Sequence, residues 1–489
     1  MNNEFLLKKY KTIIHYIGVV LVLTSIILLI PLVMVPFYKD DISQIPYFLI
    51  PSAATFTAGM ILRKFKISEI ELQYQDAGIV IVVSWILVIL ITGTPFILGG
   101  YLNFSQSVFE ATSAWTTTGL SMVNVEKMSN TFLFWRSVMQ FFGGAGIAVV
   151  MLAAVIGPKG AGLYSAEGRS DKLLPNIINS TKIIMGIYTS FVLIGILLYC
   201  LAGMPLFDSI NHSIAALSTG GFSTKVDSIG AYHSILIEFI TIILMILGTI
   251  NFAVHYIFIK GNIKRVLKIG ELRLMFLLIF IGVPITAFFG LYKLYVSLGQ
   301  AFRISLFELV SALSTTGFST VSYVKWPGIA VFIMIIFMII GGGAGSTAGG
   351  LKQYRVYIML KSVYWSVKRS FQPKNTVHED YIVTPEGEYY IKDKEVLSIY
   401  IFTMLYMIIY VIGVGILTIN GYSLRDSMFE FASSLSTVGL SIGITSPDAN
   451  LAVIWTEIAG MFLGRLEIYV VIFAVIKIFR DKKLSLKNK

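Results

Sequence analysis

Charge is scarce in this chain. Only 13% of its 489 residues are charged, about half the share of an average soluble domain, while 56% are hydrophobic and mean hydropathy is +0.79. That balance excludes a soluble globular domain and implies an integral membrane protein. The short alternating segments of a β-barrel are missing, so the expected class is all-α. Cysteine is nearly absent. Cys200, the only one, lies in an apolar run, which excludes a disulfide framework or cysteine metal centre and suits a small buried residue. No Ser/His/Asp, Cys/His or metal-ligand constellation appears, so no enzyme is expected. The N-terminal stretch from Lys8 to Pro36 is too long for a signal-peptide core and is followed by no small-x-small pattern; it is read as a retained first span.

Acidic residues are outnumbered, 27 to 38 Lys and Arg, and the net charge is +11. A nucleic-acid partner would need these charges on one surface. They instead alternate between connections. With ten spans in order, 29 of the 38 fall at the N-terminus, 63–66, 159–182, 260–273, 352–394 and the C-terminal tail. Eight fall on the other side: Lys39, Lys127, Arg136, Lys225, Lys293, Arg303, Lys325 and Arg425. The bias follows the positive-inside rule and predicts cytoplasmic termini. No nucleic acid is expected as a partner; the lipid bilayer is.

The spans are expected near 12–37, 46–62, 76–100, 131–157, 183–204, 232–260, 271–297, 327–365, 396–420 and 450–480, the eighth interrupted by GGGAGSTAGG at 341–350. Four polar stretches lie between spans: SAWTTTGLSM (113–122), AALSTGGFST (215–224), SALSTTGFST (311–320) and SSLSTVGLSI (433–442). Each follows about ten residues that read as a short helix. Aligned on Gly119, Gly221, Gly317 and Gly439, they carry Thr117, Thr219, Thr315 and Thr437 two residues earlier, and Ser121, Ser223, Ser319 and Ser441 two later. Glu110, His212, Glu308 and Glu430 stand nine earlier. Gly143, Gly248, Gly341 and Gly464 recur in the next helix. The unit of long helix, short helix, polar segment and long helix therefore occurs four times. The expected organisation is a two-helix extension (1–70) and four repeats (71–160, 161–262, 263–370 with the intramembrane loop, and 371–489 with a cytoplasmic loop).

A short helix ending halfway through a membrane leaves its last carbonyls unpaired, its negative end inward. Four such ends around one axis make rings of oxygens that can replace an ion's water shell. Glycine is required where the backbone must adopt angles closed to residues with a Cβ. No carboxylate ring is present, which suits a monovalent cation. The bland reading, a polar turn at a helix end, fits one segment but not four in register. The candidate filter is thus Thr117, Thr118, Gly119 and Leu120; Thr219, Gly220, Gly221 and Phe222; Thr315, Thr316, Gly317 and Phe318; Thr437, Val438, Gly439 and Leu440.

This fourfold pattern with its glycines resembles the Trk/Ktr/HKT superfamily of potassium transporters, and the two extra N-terminal spans are similar to its TrkH/TrkG branch. The resemblance covers essentially the whole chain. It implies a bacterial plasma (inner) membrane protein that takes up K⁺, forms a homodimer and is gated by a cytoplasmic TrkA-like nucleotide-binding subunit. No nucleotide is expected on this chain itself, and K⁺ is the transported ion. Na⁺-preferring plant members replace the first filter glycine with serine; here all four are present. Thr118, Gly220, Thr316 and Val438 differ among themselves, so the symmetry is approximate.

Gly341, Gly342, Gly343, Ala344, Gly345, Ser346, Thr347, Ala348, Gly349 and Gly350 match the family's loop under the filter and form the candidate gate, against the alternative of close helix packing. The G-x-G-x-x-A within them follows no strand, so a dinucleotide site is rejected. Arg465, an arginine in mid-span, is expected to repel cations or pin the gate, against a salt bridge with Glu467 or Glu457. Glu110, Glu308 and Glu430 are expected to brace the filter backbone, or else to serve as first-turn charges on the short helices. Rival functions are a Na⁺-dependent Ktr-like transporter, an organic-solute carrier, which would show two inverted halves, and a scaffold, which would not need four such segments.

Overall fold

The computed structural model describes residues 3–65, 74–146, 177–373 and 380–487. The end of the expected span 131–157, most of the basic connection 159–182 and the centre of the polar loop 366–395 lie outside the described residues.

Apolar runs become helices throughout. α1 (Asn3–Ile27) and α2 (Ile45–Arg63) form the N-terminal pair. They cross where Gly18 and Gly59 meet, each with the other's backbone where a Cβ would stand. Small residues let helices approach this closely where no hydrophobic effect drives association. The first unit is α3 (Tyr74–Leu98), short α4 (Phe104–Trp115) and α5 (Asn130–Ala145). The second is α6 (Ile177–Leu201), short α7 (Leu206–Leu217) and α8 (Ile235–Thr249), continued by α9 (Phe252–Ile259) and α10 (Ile263–Val266). The third is α11 (Gly270–Ile285), α12 (Leu298–Leu313) and α13 (Gly328–Ile340), continued by α14 (Gln353–Ser370). The fourth is α15 (Asp393–Ile419), α16 (Leu424–Leu435), α17 (Leu451–Leu466) and α18 (Ile468–Lys487). Strands β1 (Tyr381–Thr384) and β2 (Gly387–Tyr390) pair as a hairpin in the polar loop.

Three of the four short helices start on polar caps, and α7 starts after Pro205. Asn103 and Gln106 form a reciprocal capping box on α4, while Ser297 and Ser423 accept from the N–H groups of Gln300 and Asp426. At 12 residues, α4, α7 and α16 are each about 18 Å long, little more than half the hydrocarbon thickness.

Where ten spans were expected, six helices among the described residues are long and apolar enough to cross a membrane, or seven counting α8 with α9. The last long helix of every unit ends near its aligned glycine, not only in the eighth span, and the fourth expected span is described only as far as Gly146. α5 ends before Gly146 (φ 85°), α13 before Gly341 (φ 70°) and α17 before Glu467 (φ 58°), and α8 turns by 103° into α9. These helix ends fall at matching places in the four units.

A second correction concerns Arg136, counted above with an external connection. It is buried within α5, its Nε 2.7 Å from Glu110 Oε1. At the other end of the fold, buried Lys9 of α1 lies 3.0 Å from Asp76 of α3 and 2.5 Å from Asp481 of α18, which clasps the two ends of the chain.

Candidate functional site

All four short helices end in the same way. The N–H of Thr117 donates to Ala114 O and that of Thr118 to Ser113 O, the double bond of a Schellman cap. The pattern recurs at Thr219 and Gly220, Thr315 and Thr316, and Thr437 and Val438. Such a cap needs a left-handed residue at its centre, ordinarily glycine. Here it is threonine each time, with φ of 54°, 52°, 54° and 53° at Thr117, Thr219, Thr315 and Thr437. A β-branched residue there is strained, and strain of this kind persists only where the surroundings enforce it.

Two residues on, Gly119, Gly221, Gly317 and Gly439 also have positive φ. The N–H groups of these segments turn back onto their own helix, and Gly119 and Gly439 donate to the Ser113 and Ser433 hydroxyls at 3.0 Å. A Cβ on Gly119 would run into the carbonyl oxygen of Gly220, one on Gly221 into that of Thr316, one on Gly317 into that of Val438 and one on Gly439 into that of Thr118. The contacts pass from unit one to two, three, four and back to one. They form a closed ring of backbone oxygens. Outside it a vestibule of about 930 Å³ is lined by all four glycines and their flanking residues. A ring of neutral backbone oxygens suits a monovalent cation stripped of water.

The expected buttress residues stand behind the ring, buried within the short helices and beyond their first turns. Glu110 accepts from Met122 N–H at 2.9 Å and Ser121 Oγ at 3.1 Å. Glu430 accepts from Ile442 N–H at 2.9 Å and Ser441 Oγ at 2.6 Å. Glu308 accepts from Thr320 N–H at 2.8 Å and from the Tyr323 hydroxyl. His212 places Nε2 2.9 Å from Ser223 Oγ, so it reaches the same point without a carboxylate.

Beneath the ring lies the 341–350 loop. Thr347 Oγ1 lies 2.9 Å from both Leu217 O and Gly248 O and 3.2 Å from Thr219 Oγ1. Gly349 N–H donates to Thr315 Oγ1 at 2.7 Å, and a Cβ on Gly349 would strike Thr437 Oγ1. Gly343 N–H donates to Thr249 O at 3.0 Å. Arg465 binds the loop from the fourth unit, donating to Thr347 O at 2.6 Å and to Gly143 O at 2.6 Å. Its acidic neighbours are engaged elsewhere. Glu467 takes both oxygens to Arg355 Nη2 at 2.9 and 2.8 Å, while Glu457 faces Thr445. A smaller cavity of about 170 Å³ opens below, lined by Gly345, Ala348, Arg465 and Glu467.

Two buried residues of α5 escaped the sequence reading. Gln140 donates to Gly220 O at 2.5 Å and faces Phe222 N–H at 3.4 Å. Arg136 donates to Ser121 Oγ and Ser223 O, and its guanidinium lies 3.8 Å from the centre of the Phe222 ring. The signal present in the sequence was a polar stripe, Arg136 and Gln140, one turn apart in an apolar span.

Comparison with known proteins agrees in extent with this architecture. Residues 46–487 match the family model TrkH, described as cation transport protein. The Trk system potassium uptake protein TrkG of Escherichia coli K12 is 32% identical over 489 residues, covering 94% of this chain and 97% of its own. The Trk system potassium uptake protein TrkH of Vibrio parahaemolyticus is 29% identical, covering 96% and 99%. The crystal structure of the potassium transporter TrkH from Vibrio parahaemolyticus superposes with a TM-score of 0.83 at 26% identity, over 95% of this chain and 98% of that one.

Proposed function

This chain belongs to the TrkH family of cation transport proteins, and we propose that it takes up potassium ions across the membrane in which it is embedded. The observation that carries the reading is the closed contact ring of Gly119, Gly221, Gly317 and Gly439 with the carbonyl oxygens of Gly220, Thr316, Val438 and Thr118. An ion enters the outer vestibule and loses water at Thr117–Leu120, Thr219–Phe222, Thr315–Phe318 and Thr437–Leu440. These segments are the filter. Glu110, Glu308 and Glu430 hold its outer backbone in shape. The inward-negative potential contributes about 2.3 kcal/mol per charge per 100 mV, which suits accumulation.

The gate in this reading is the loop Gly341–Gly350, and Arg465 is its latch. The guanidinium both ties Thr347 to Gly143 and adds a positive charge below the ring, so a K⁺ ion leaving the filter meets a closed and repelling exit. Opening requires those hydrogen bonds to part. The basic bias of alternate connections supports cytoplasmic termini and an inner-membrane setting. A second copy and a cytoplasmic TrkA-like regulatory subunit complete the system in this proposal, and the hairpin loop after α14 is on the side such a subunit would approach.

The test is ⁸⁶Rb⁺ uptake with Na⁺ competition in a K⁺-requiring strain carrying Gly317→Ser, with Gly415→Ser as control. A Cβ at 317 meets Val438 O, and one at 415 meets nothing within 4 Å. Loss of Rb⁺/Na⁺ discrimination only at 317 is expected. Unchanged discrimination there, in protein that reaches the membrane at normal levels, would sink the filter assignment.

A further inference from the structure

The elbow below the second segment carries a second kind of site. α8 meets α9 at 103°, and α10 leads from there into α11. A helix that leaves its neighbour at this angle cannot stay packed against the next span, so a groove of about 810 Å³ remains between the elbow and α11. Its walls are apolar: Ile250, Val254, Phe258, Leu267, Phe276 and Phe280. Four of them are open to the surroundings, Phe258 at 56%, Leu267 at 66%, Phe276 at 55% and Phe280 at 77% exposed.

The stretch that leads from the elbow into α11 has the opposite character. Lys260, Lys264, Arg265, Lys268 and Arg273 fall within 14 residues. Elsewhere in the fold buried cations find carboxylates, as Lys9 and Arg136 do. Among the described residues these five have none within 4.0 Å. Arg273 itself lines the groove, its Nε bound to Leu267 O at 2.8 Å at the mouth.

We propose that this elbow binds an anionic phospholipid of the adjacent leaflet, with an acyl chain in the groove and the phosphate against Lys264, Arg265, Lys268 and Arg273. An apolar slot that opens on hydrocarbon is filled by lipid tails, and basic pockets on the positively biased side select anionic headgroups. Charge complementarity singles out this occupant. A second copy of a chain with net charge +11 would bring the same unpaired cations to the contact.

The site touches the transport machinery. Thr249 O, at the end of α8, accepts from Gly343 N–H at 3.0 Å, and Phe252 N–H, at the start of α9, donates to Gly345 O at 3.3 Å. A lipid that holds the bend therefore holds the loop. This last consequence rests on the loop being the gate; lipid binding itself does not.

The experiment is native mass spectrometry of the full chain, titrated with phosphatidylglycerol or phosphatidylcholine of the same acyl length. Preferential retention of phosphatidylglycerol is expected. In the triple variant K264Q/R265Q/K268Q, affinity for it should fall about five-fold per charge removed. The variant K392Q/K394Q, altered at exposed sites at the start of α15, should bind as wild type. Phe280→Ser, also exposed, should weaken retention of both lipids while eluting normally. Equal retention of the two lipids by wild type, or undiminished phosphatidylglycerol binding in the triple variant, would overturn the proposal. So would chain-to-chain crosslinking through Phe280→Cys in a Cys200→Ser background, which would give the groove to a second copy. Slower ⁸⁶Rb⁺ uptake in phosphatidylcholine vesicles than in phosphatidylglycerol vesicles would extend the proposal to gating.

Discussion

Glu457 occupies in the fourth unit the place that Arg136 occupies in the first, each standing seven residues before the glycine that packs under its short helix, Gly464 and Gly143. In the first unit the pairing is Glu110 with a guanidinium at 2.7 Å. In the fourth it is Glu430 with a second carboxyl group, joined through the Thr445 hydroxyl, which lies 2.6 Å from Glu430 Oε1 and 3.2 Å from both Glu457 oxygens. One hydroxyl proton cannot serve both acids.

The two pairs should therefore respond oppositely to removal of a carboxylate. Glu110→Gln strands a buried Arg136 and is expected to destabilise by about 3 kcal/mol or more. Glu457→Gln adds an N–H donor facing Glu430 and is expected to be neutral or stabilising. Thermal unfolding in detergent distinguishes them; a larger loss of Tm for Glu457→Gln would contradict the account.

Releasing the latch should open the pathway. Arg465→Gln removes charge-assisted hydrogen bonds to Thr347 O and Gly143 O, each worth about 1.5–3 kcal/mol. Downhill ⁸⁶Rb⁺ flux through vesicles is expected to rise at least about ten-fold. Arg465→Lys, lacking the fork that spans both oxygens, should fall between.

The strained threonines offer a separation of stability from selectivity. Among the described residues Thr437 Oγ1 is buried without a hydrogen-bond partner, so Thr437→Gly forfeits no hydrogen bond to them and relieves a left-handed β-branched residue. Stability should hold or rise by about 1 kcal/mol, within the strain of such a residue. Rb⁺/Na⁺ discrimination should fall, because the backbone gains freedom. Competition uptake and Tm on the same preparation check both signs.

Gln140→Leu tests a cross-unit brace. It leaves Gly220 O and Phe222 N–H without their side-chain partner, at a cost of about 1–3 kcal/mol for buried polar groups. Reduced ⁸⁶Rb⁺ uptake with normal membrane abundance is the expected result, and uptake equal to wild type would remove Gln140 from the site.

Much of this was legible before any coordinates because repetition multiplies weak signals. One Thr-x-Gly-x-Ser is a turn; four in register locate short helices, segments and the glycines beneath them. Chain-local features followed: α4, α7, α12 and α16 lie where the sequence put them. What stayed hidden depends on through-space partners. The left-handed threonines carry no local mark, since glycine is the residue that normally announces such a cap. The breaks at Gly146, Ile250 and Glu467 carry no glycine run as long as the 341–350 stretch, which alone reveals its own interruption. Arg136 was assigned to a connection because its acidic partner is 26 residues away in sequence.

The contact between Gly439 and Thr118 also bears on biosynthesis. A ring that closes from the fourth unit onto the first is incomplete while the ribosome is still making the chain. Three units already threaded into the bilayer leave one side of the opening without its wall of oxygens. Assembly must then wait for the last helices, and the clasp of Lys9 on Asp481 lies at the same late point. In the function proposed above, discrimination between ions would therefore begin only when the fourth unit has joined the first, which makes the order of synthesis part of the order in which selectivity arises.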